Sequence, residues 1–245
     1  VSELYELIKD WPKAVDPELM CDENSEDDKI QRAKNILSFF VQCPLEGKRV
    51  LDFGCGEGHV ANELSKNGIE AFGYDLSKSS NSEWDNESSV LSTNFEKIKS
   101  SRPFDVIILY DVIDHALSMD NCLSSVRELC DSNTTVYNLT HPWCSRHGGH
   151  LYQKFNYAFA HVLFDDIPSE KINKVVNPIM IYENLFEKHG FEIMQKEIVR
   201  DPVEYFFEEL NEKILAKFNS IRDGFNKFPS FQMEQSFHEY VLKTK

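Results

Sequence analysis

The sequence predicts an α/β fold, a mostly parallel sheet with helices on both faces, and three observations carry that prediction. From Lys48 onward short apolar runs alternate with helical patterns, as βαβ units do. One of those runs, Val50-Leu-Asp-Phe53, leads straight into a turn with glycines at 54, 56 and 58 and then into a helix. The chain has 245 residues, 41% of them hydrophobic, enough for one sizeable core. A single domain spanning 1–245 is expected, with a helical extension over 1–46 and an insert over 141–180.

In chain order, helical spacing marks Glu3 to Asp10 and then Asp28 to Val41, where Ile30, Ala33, Ile36, Leu37 and Phe40 form the apolar stripe. Between them residues 16 to 28 hold seven acids and no base, the pattern of a solvated surface or a lid. Strands follow at Arg49 to Phe53, Ala71 to Tyr74, Ser89 to Leu91, Asp105 to Leu109 and Thr134 to Asn138. Helices are expected at His59 to Asn67, Asn121 to Cys130 and Tyr182 to His189, their apolar faces covering the sheet. The last third changes rhythm: a strand at Phe191 to Val199, a long helix around Val203 to Arg222, and a final strand near Phe237 to Lys243. Gly190 stands where a helix C-cap precedes the first of these strands.

Composition narrows the function. No stretch approaches the roughly 18 apolar residues of a membrane span, and the opening Val1-Ser-Glu-Leu-Tyr-Glu6 has neither a basic nor an apolar targeting region, so a cytoplasmic protein without a membrane partner is expected. The six cysteines, at 21, 43, 55, 122, 130 and 144, include no Cys-x-x-Cys pair and read as reduced thiols. A net charge of −15 repels polyanions at long range and weighs against a nucleic-acid partner, although a local basic groove can survive in an acidic protein.

The glycine turn suggests a nucleotide-like ligand, because glycine admits positive φ and lets a ligand approach without a Cβ in the way. A dinucleotide site wants its third glycine five residues after the first; here it comes at four, and position 59 is histidine. Asp52 can orient the loop or accept a bond from a cationic amine. Seventeen residues after Gly58, Asp75 ends the run Ala71-Phe-Gly-Tyr74, where a carboxylate can take both hydroxyls of a ribose. A glycine turn that merely packs strand against helix is the plainer alternative.

Leu51-Asp-Phe-Gly-Cys-Gly-Glu-Gly58, Gly73-Tyr-Asp-Leu-Ser77 and Phe104-Asp-Val-Ile-Ile-Leu-Tyr-Asp-Val-Ile-Asp-His115 together resemble motif I, its acidic successor and the fourth-strand motif of the class I, Rossmann-like S-adenosylmethionine-dependent methyltransferases. The resemblance covers roughly residues 48 to 140. It implies a seven-stranded sheet with an antiparallel last strand and S-adenosyl-L-methionine as cofactor. By matching positions it implies that Asp52, Gly54, Cys55, Gly56 and Gly58 line the methionine end. It likewise assigns Asp75 and Leu76 to the ribose side, Asn94 and Phe95 to the adenine, and Tyr110 to the end of the fourth strand. Asn94 departs from the acidic residue usual there.

The acceptor leaves its trace in the site, since methyl transfer needs alignment and, for a hydroxyl, removal of a proton. The Asn/Asp-Pro-Pro-Tyr run of base aminomethylation is missing, as are a Pro-Cys pair and a double-glutamate loop. Instead Asp111-Val-Ile-Asp-His115 resembles the Glu-x-x-Glu-His metal motif of small-RNA 2′-O-methyltransferases and of ubiquinone-pathway O-methyltransferases. That likeness implies Asp111, Asp114 and His115 as ligands to Mg²⁺, Mn²⁺ or Zn²⁺, with His150 as a further one. Many metal-free members carry a similar acid and histidine here as a helix cap or cofactor contact. After the fifth strand comes His141-Pro-Trp-Cys-Ser-Arg-His-Gly-Gly-His150, followed by Tyr152, Phe155, Tyr157 and Phe159. Loops after parallel strands bind substrate, so His115, His141, His147 and His150 are candidates for the general base and the aromatics for a substrate wall or for plain core. The leading expectation is O-methylation of a small-molecule hydroxyl. An RNA 2′-O-methyltransferase and a catalytically silent cofactor-binding scaffold stand as alternatives.

Overall fold

The computed structural model describes residues 13–14, 25–38, 44–78, 90–142, 145–146, 156–158, 180–200 and 235–245. The described helices are α1 (Glu26–Ser38), α2 (His59–Lys66), α3 (Phe95–Ser100), α4 (Met119–Leu129) and α5 (Met180–Lys188), with a 3-10 turn at Ile113–His115. The strands are β1 (Arg49–Phe53), β2 (Glu70–Tyr74), β3 (Val90–Ser92), β4 (Val106–Tyr110), β5 (Thr135–Thr140), β6 (Phe191–Arg200) and β7 (Gln235–Thr244). They form one sheet in the order β3-β2-β1-β4-β5-β7-β6. The first five pair in parallel, and the last two make the sheet mixed.

The expected strands therefore form, each within one or two residues of its expected bounds. Two elements were not expected: α3, six residues capped by Asn94, whose side chain accepts from the Lys97 N–H at 3.2 Å, and the 3-10 turn. The expected helices at Glu3 to Asp10 and Val203 to Arg222 lie outside the described residues, as does most of the 141–180 insert.

Helix α1 starts for a local reason. Ser25 Oγ accepts from the Asp28 N–H at 3.2 Å, while Asp28 Oδ2 accepts from the Ser25 N–H at 3.1 Å, a reciprocal cap that satisfies two end donors. Asp27 and Asp28 also complement the positive helix end. The C-terminal end of the acidic stretch is thus a helix start. Ile36 of α1 then joins Val50, Ala61, Leu64, Ala71, Val106 and Ile108 in a core that locks α1 and α2 onto one face of β1, β2 and β4. On the sheet's aromatic side Phe72 meets Phe104 edge-on at 5.2 Å.

The chain divides into two compact units. One comprises Glu23–Thr140, Glu183–Lys196 and Glu239–Lys245 and holds β1 to β5. In the other, comprising Val1–Asp22, His141–Tyr182 and Glu197–His238, Arg146 Nη2 donates to the Lys13 carbonyl at 2.6 Å. Lys13 Nζ in turn lies 4.1 Å from the centre of the Tyr157 ring. Cys55, Cys122 and Cys130 are free thiols, and among the described residues no helix is long and apolar enough to cross a membrane.

Candidate active site

The C-terminal ends of β1 and β4 open onto a cleft of about 330 Å³ in the larger unit. Its floor is the glycine loop. Gly54 and Cys55 both donate their N–H to the Tyr74 carbonyl, at 2.7 and 3.0 Å, so the loop folds back over the end of β2. Gly54 has φ 86, and a Cβ there would collide with Val112 Cγ2; only glycine fits between the turn and that side chain. Gly56, at φ 51, has nothing within 4 Å of where its Cβ would stand, and it lines the cleft. The first glycine is thus required by packing and the second leaves open space on the cleft side.

Asp75 closes the loop from β2. Its Oδ2 accepts from the Gly56 N–H at 2.9 Å and its Oδ1 from the Ser77 N–H at 3.3 Å. A carboxylate has about four acceptor positions, so capacity remains for two hydroxyls. Asp52 lies beneath, buried; burial, and then the negative charge of Asp75, push its carboxyl up to about 7. The same burial, with Asp52 and Asp75 beside it, pushes the Cys55 thiol up, which rules it out as a thiolate nucleophile near neutral pH. Burial and the neighbouring Asp111 carboxylate push the Tyr110 phenol up to about 12, so it lines the cleft as a neutral hydroxyl.

Of the expected cofactor residues, Asp52, Gly54, Cys55, Gly56 and Tyr110 line this cleft. Gly58 ends the loop as the residue before α2, and Leu76 follows Asp75 with 86% of its surface exposed. Asn94 spends its side-chain oxygen on capping α3, and Phe95 packs edge-on against Tyr74 at 5.6 Å.

Sequence reasoning missed one wall. Lys29, Arg32, Ala33 and Ile36 of α1 line the cleft together with Glu57, His59 and Val60. Ala33 and Ile36 belong to the apolar stripe expected from the sequence, but nothing in that stripe marks Lys29 and Arg32 as cleft residues. Glu57 Oε2 is held by Lys29 at 2.6 Å and by His59 Nε2 at 3.1 Å, which together keep its carboxyl below the usual range, Lys29 contributing most.

The three described members of the expected metal set, Asp111, Asp114 and His115, do not gather around one point. Asp111 has φ 54 and turns its carboxylate toward Arg32, 3.7 Å away, while Asp114 is buried and its Oδ2 lies 3.9 Å from Nε2 of the half-exposed His115. No group of three His, Cys, Asp or Glu side chains placed to hold a cation occurs among the described residues. His141 follows β5 and its Nδ1 lies 3.0 Å from the Ser236 carbonyl, which makes Nδ1 the protonated nitrogen and Nε2 the basic one. His147 and His150 lie outside the described residues.

A seven-stranded sheet of this order, with a glycine loop after β1 and an acidic residue after β2, defines a class I, Rossmann-like S-adenosylmethionine-dependent methyltransferase. Residues 26–196 match the model of the methyltransferase domain family, and the chain belongs to that family. Among solved structures it is similar to an S-adenosylmethionine-dependent methyltransferase from Archaeoglobus fulgidus, with TM-score 0.53 and 16% identity over 90% of this chain and 95% of the other. It is similar also to the magnesium protoporphyrin IX methyltransferase of Synechocystis with bound S-adenosylhomocysteine, with TM-score 0.52 and 14% identity over 88% and 83%. In sequence, 44 residues are 46% identical to a ubiquinone biosynthesis O-methyltransferase of Alkalilimnicola ehrlichii. That stretch is 17% of this chain and 18% of the relative.

Proposed function

We propose that this methyltransferase transfers its methyl group to the hydroxyl of a small molecule in the cytoplasm, with a histidine as general base. The cleft fits the cofactor: Gly56 leaves open space where a side chain would block a ligand, and its N–H is the one that Asp75 fixes. This clasp between the ribose-side carboxylate and the loop is the observation that carries the cofactor reading. Asp75, with Leu76 beside it, would take the ribose hydroxyls, the glycine loop with Asp52 the amino-acid end, and Asn94 and Phe95 would stand beside the adenine. The bound cofactor supplies an electrophilic methyl on a sulfonium.

What the chain itself must add is alignment and a base. His115 stands half-exposed just beyond β4, with Asp114 Oδ2 3.9 Å from its Nε2. His141, directly after β5, is the second candidate by its place in the sequence. The short stretch shared with a ubiquinone biosynthesis O-methyltransferase and the acidity of the chain both favour a small hydroxyl over RNA.

The test is transfer of labelled methyl from S-adenosylmethionine to a panel of phenols, catechols and hydroxy acids, with short RNA as a rival acceptor. Asp75→Ala is expected to abolish S-adenosylhomocysteine binding. His115→Gln is expected to lower kcat by about 10²–10⁴ while leaving that binding intact. Methylation of RNA alone would replace the small-molecule reading, and cofactor binding without turnover on any acceptor would point to a scaffold.

A further inference from the structure

Helix α1 is tied to both walls of the cleft by charge. Lys29 Nζ lies 2.6 Å from Glu57 Oε2, in the loop after β1, and one turn later Arg32 Nη2 lies 3.7 Å from Asp111 Oδ2, in the turn after β4. β1 and β4 are neighbours in the sheet, so the two acids sit on adjacent lips of one opening. The helix is the fixed partner in both pairs: Ala33 and Ile36, on the same stretch of α1, are buried in the core. The acids are the partners that need holding. Glu57 stands between two glycines of positive φ, and Asp111 itself has φ 54. Val112 already presses on Gly54 from the second lip, so the helix, the loop and the turn close a ring around the cleft mouth.

We propose that Lys29 and Arg32 are positioning residues, a two-point electrostatic staple through which α1 holds the glycine loop and the turn after β4 at the separation the cofactor needs. The inference rests on reading the cleft as the cofactor site. It asks little of either pair for global stability, since partly exposed ion pairs seldom contribute much there. Their effect falls on local opening, which a few charges can bias in a loop with little packing of its own. Added salt screens both pairs and loosens the staple without touching the buried core.

The test uses the full chain with Lys29→Met, Arg32→Met, the double variant and Lys29→Arg; methionine keeps the apolar stem of the side chain. Hydrogen exchange on the protein without cofactor is read at the amides of 54–58 and 111–116, with β5 and α4 as internal references. The double variant is expected to exchange about three- to tenfold faster in both segments at an unchanged Tm, and to bind S-adenosylhomocysteine weaker by a similar factor. Lys29→Arg is expected to restore 54–58, and wild type in high salt to approach the double variant. Unchanged exchange in both segments would overturn the staple whatever the cofactor does. Faster exchange in a protein whose wild type binds no S-adenosylhomocysteine would uphold the staple and refute the cofactor reading instead.

Discussion

Binding of S-adenosylhomocysteine is expected to strengthen steeply with pH up to about 7 and then level off, and Asp52 sets that inflection. Burial and the neighbouring Asp75 raise its carboxyl to about 7, so in the free protein at pH 5.5 it is almost wholly protonated. A ligand ammonium seated against it favours the carboxylate, and the proton must leave on binding. The dissociation constant should then fall about tenfold per pH unit below the inflection, making the complex about 30-fold weaker at pH 5.5 than at pH 8. Folding of the free protein carries the opposite sign. An acid whose folded pKa exceeds its unfolded value binds more protons in the native state, so this group's contribution to stability falls as pH rises from about 4 to about 7. The ligand-induced shift in Tm therefore grows across the same window in which the free protein loses stability. Calorimetric titration in two buffers of different ionisation enthalpy reads both the affinity and the released proton. Asp52→Asn should bind more weakly and without the pH slope. A flat dissociation constant from pH 5.5 to 8, or the same slope in the Asn variant, would refute the assignment of the proton to Asp52.

Two further outcomes follow from the loops. Gly54→Ala forces a Cβ into Val112 and should cost stability, whereas Gly56→Ala meets no protein atom, so it should lower Tm less and weaken S-adenosylhomocysteine more; thermal melts with and without ligand separate the two. Asp111→Gly keeps the left-handed backbone and should stay close to wild type in Tm, while Asp111→Leu should lose about 1–2 kcal/mol of stability, so equal Tm values would show that φ at 111 does not govern the turn.

The parallel core of the fold was legible because each strand is a short apolar run next to a turn, and neither depends on distant residues. The ends drifted: β5 runs on to Thr140 because Leu139 and Thr140 are buried, which no local pattern distinguishes from the start of a loop. Helix α3 escaped notice because six residues make too short a periodic window, and its clearest signal, Asn94 as cap, lay in a segment already assigned to the adenine. The geometry of the glycine loop was legible in the sequence, since glycines and an acid at fixed spacing imply a turn of positive φ closed by a carboxylate. The α1 wall was not. Lys29 and Arg32 sit on an ordinary amphipathic helix, and which of its faces turns to the cleft is decided by how Ala33 and Ile36 enter the core of β1 and β4.

The same dependence on tertiary placement explains Asp111-Val-Ile-Asp-His115. Read as a string it offers two carboxylates and an imidazole within reach of one cation. Folded, position 111 takes a left-handed backbone, a conformation that aspartate and asparagine adopt more readily than longer side chains, and this turn is what brings Val112 down onto Gly54. The aspartate at 111 thus has a backbone reason to be there, and its carboxylate is directed to Arg32. Asp114, three residues on, is buried beside His115, where it can orient or charge-stabilise an imidazole. The motif that reads as one ligand set thus divides in the fold: its first residue shapes the turn beside the cleft, and under the proposed function its last two would serve the step in which a hydroxyl gives up its proton.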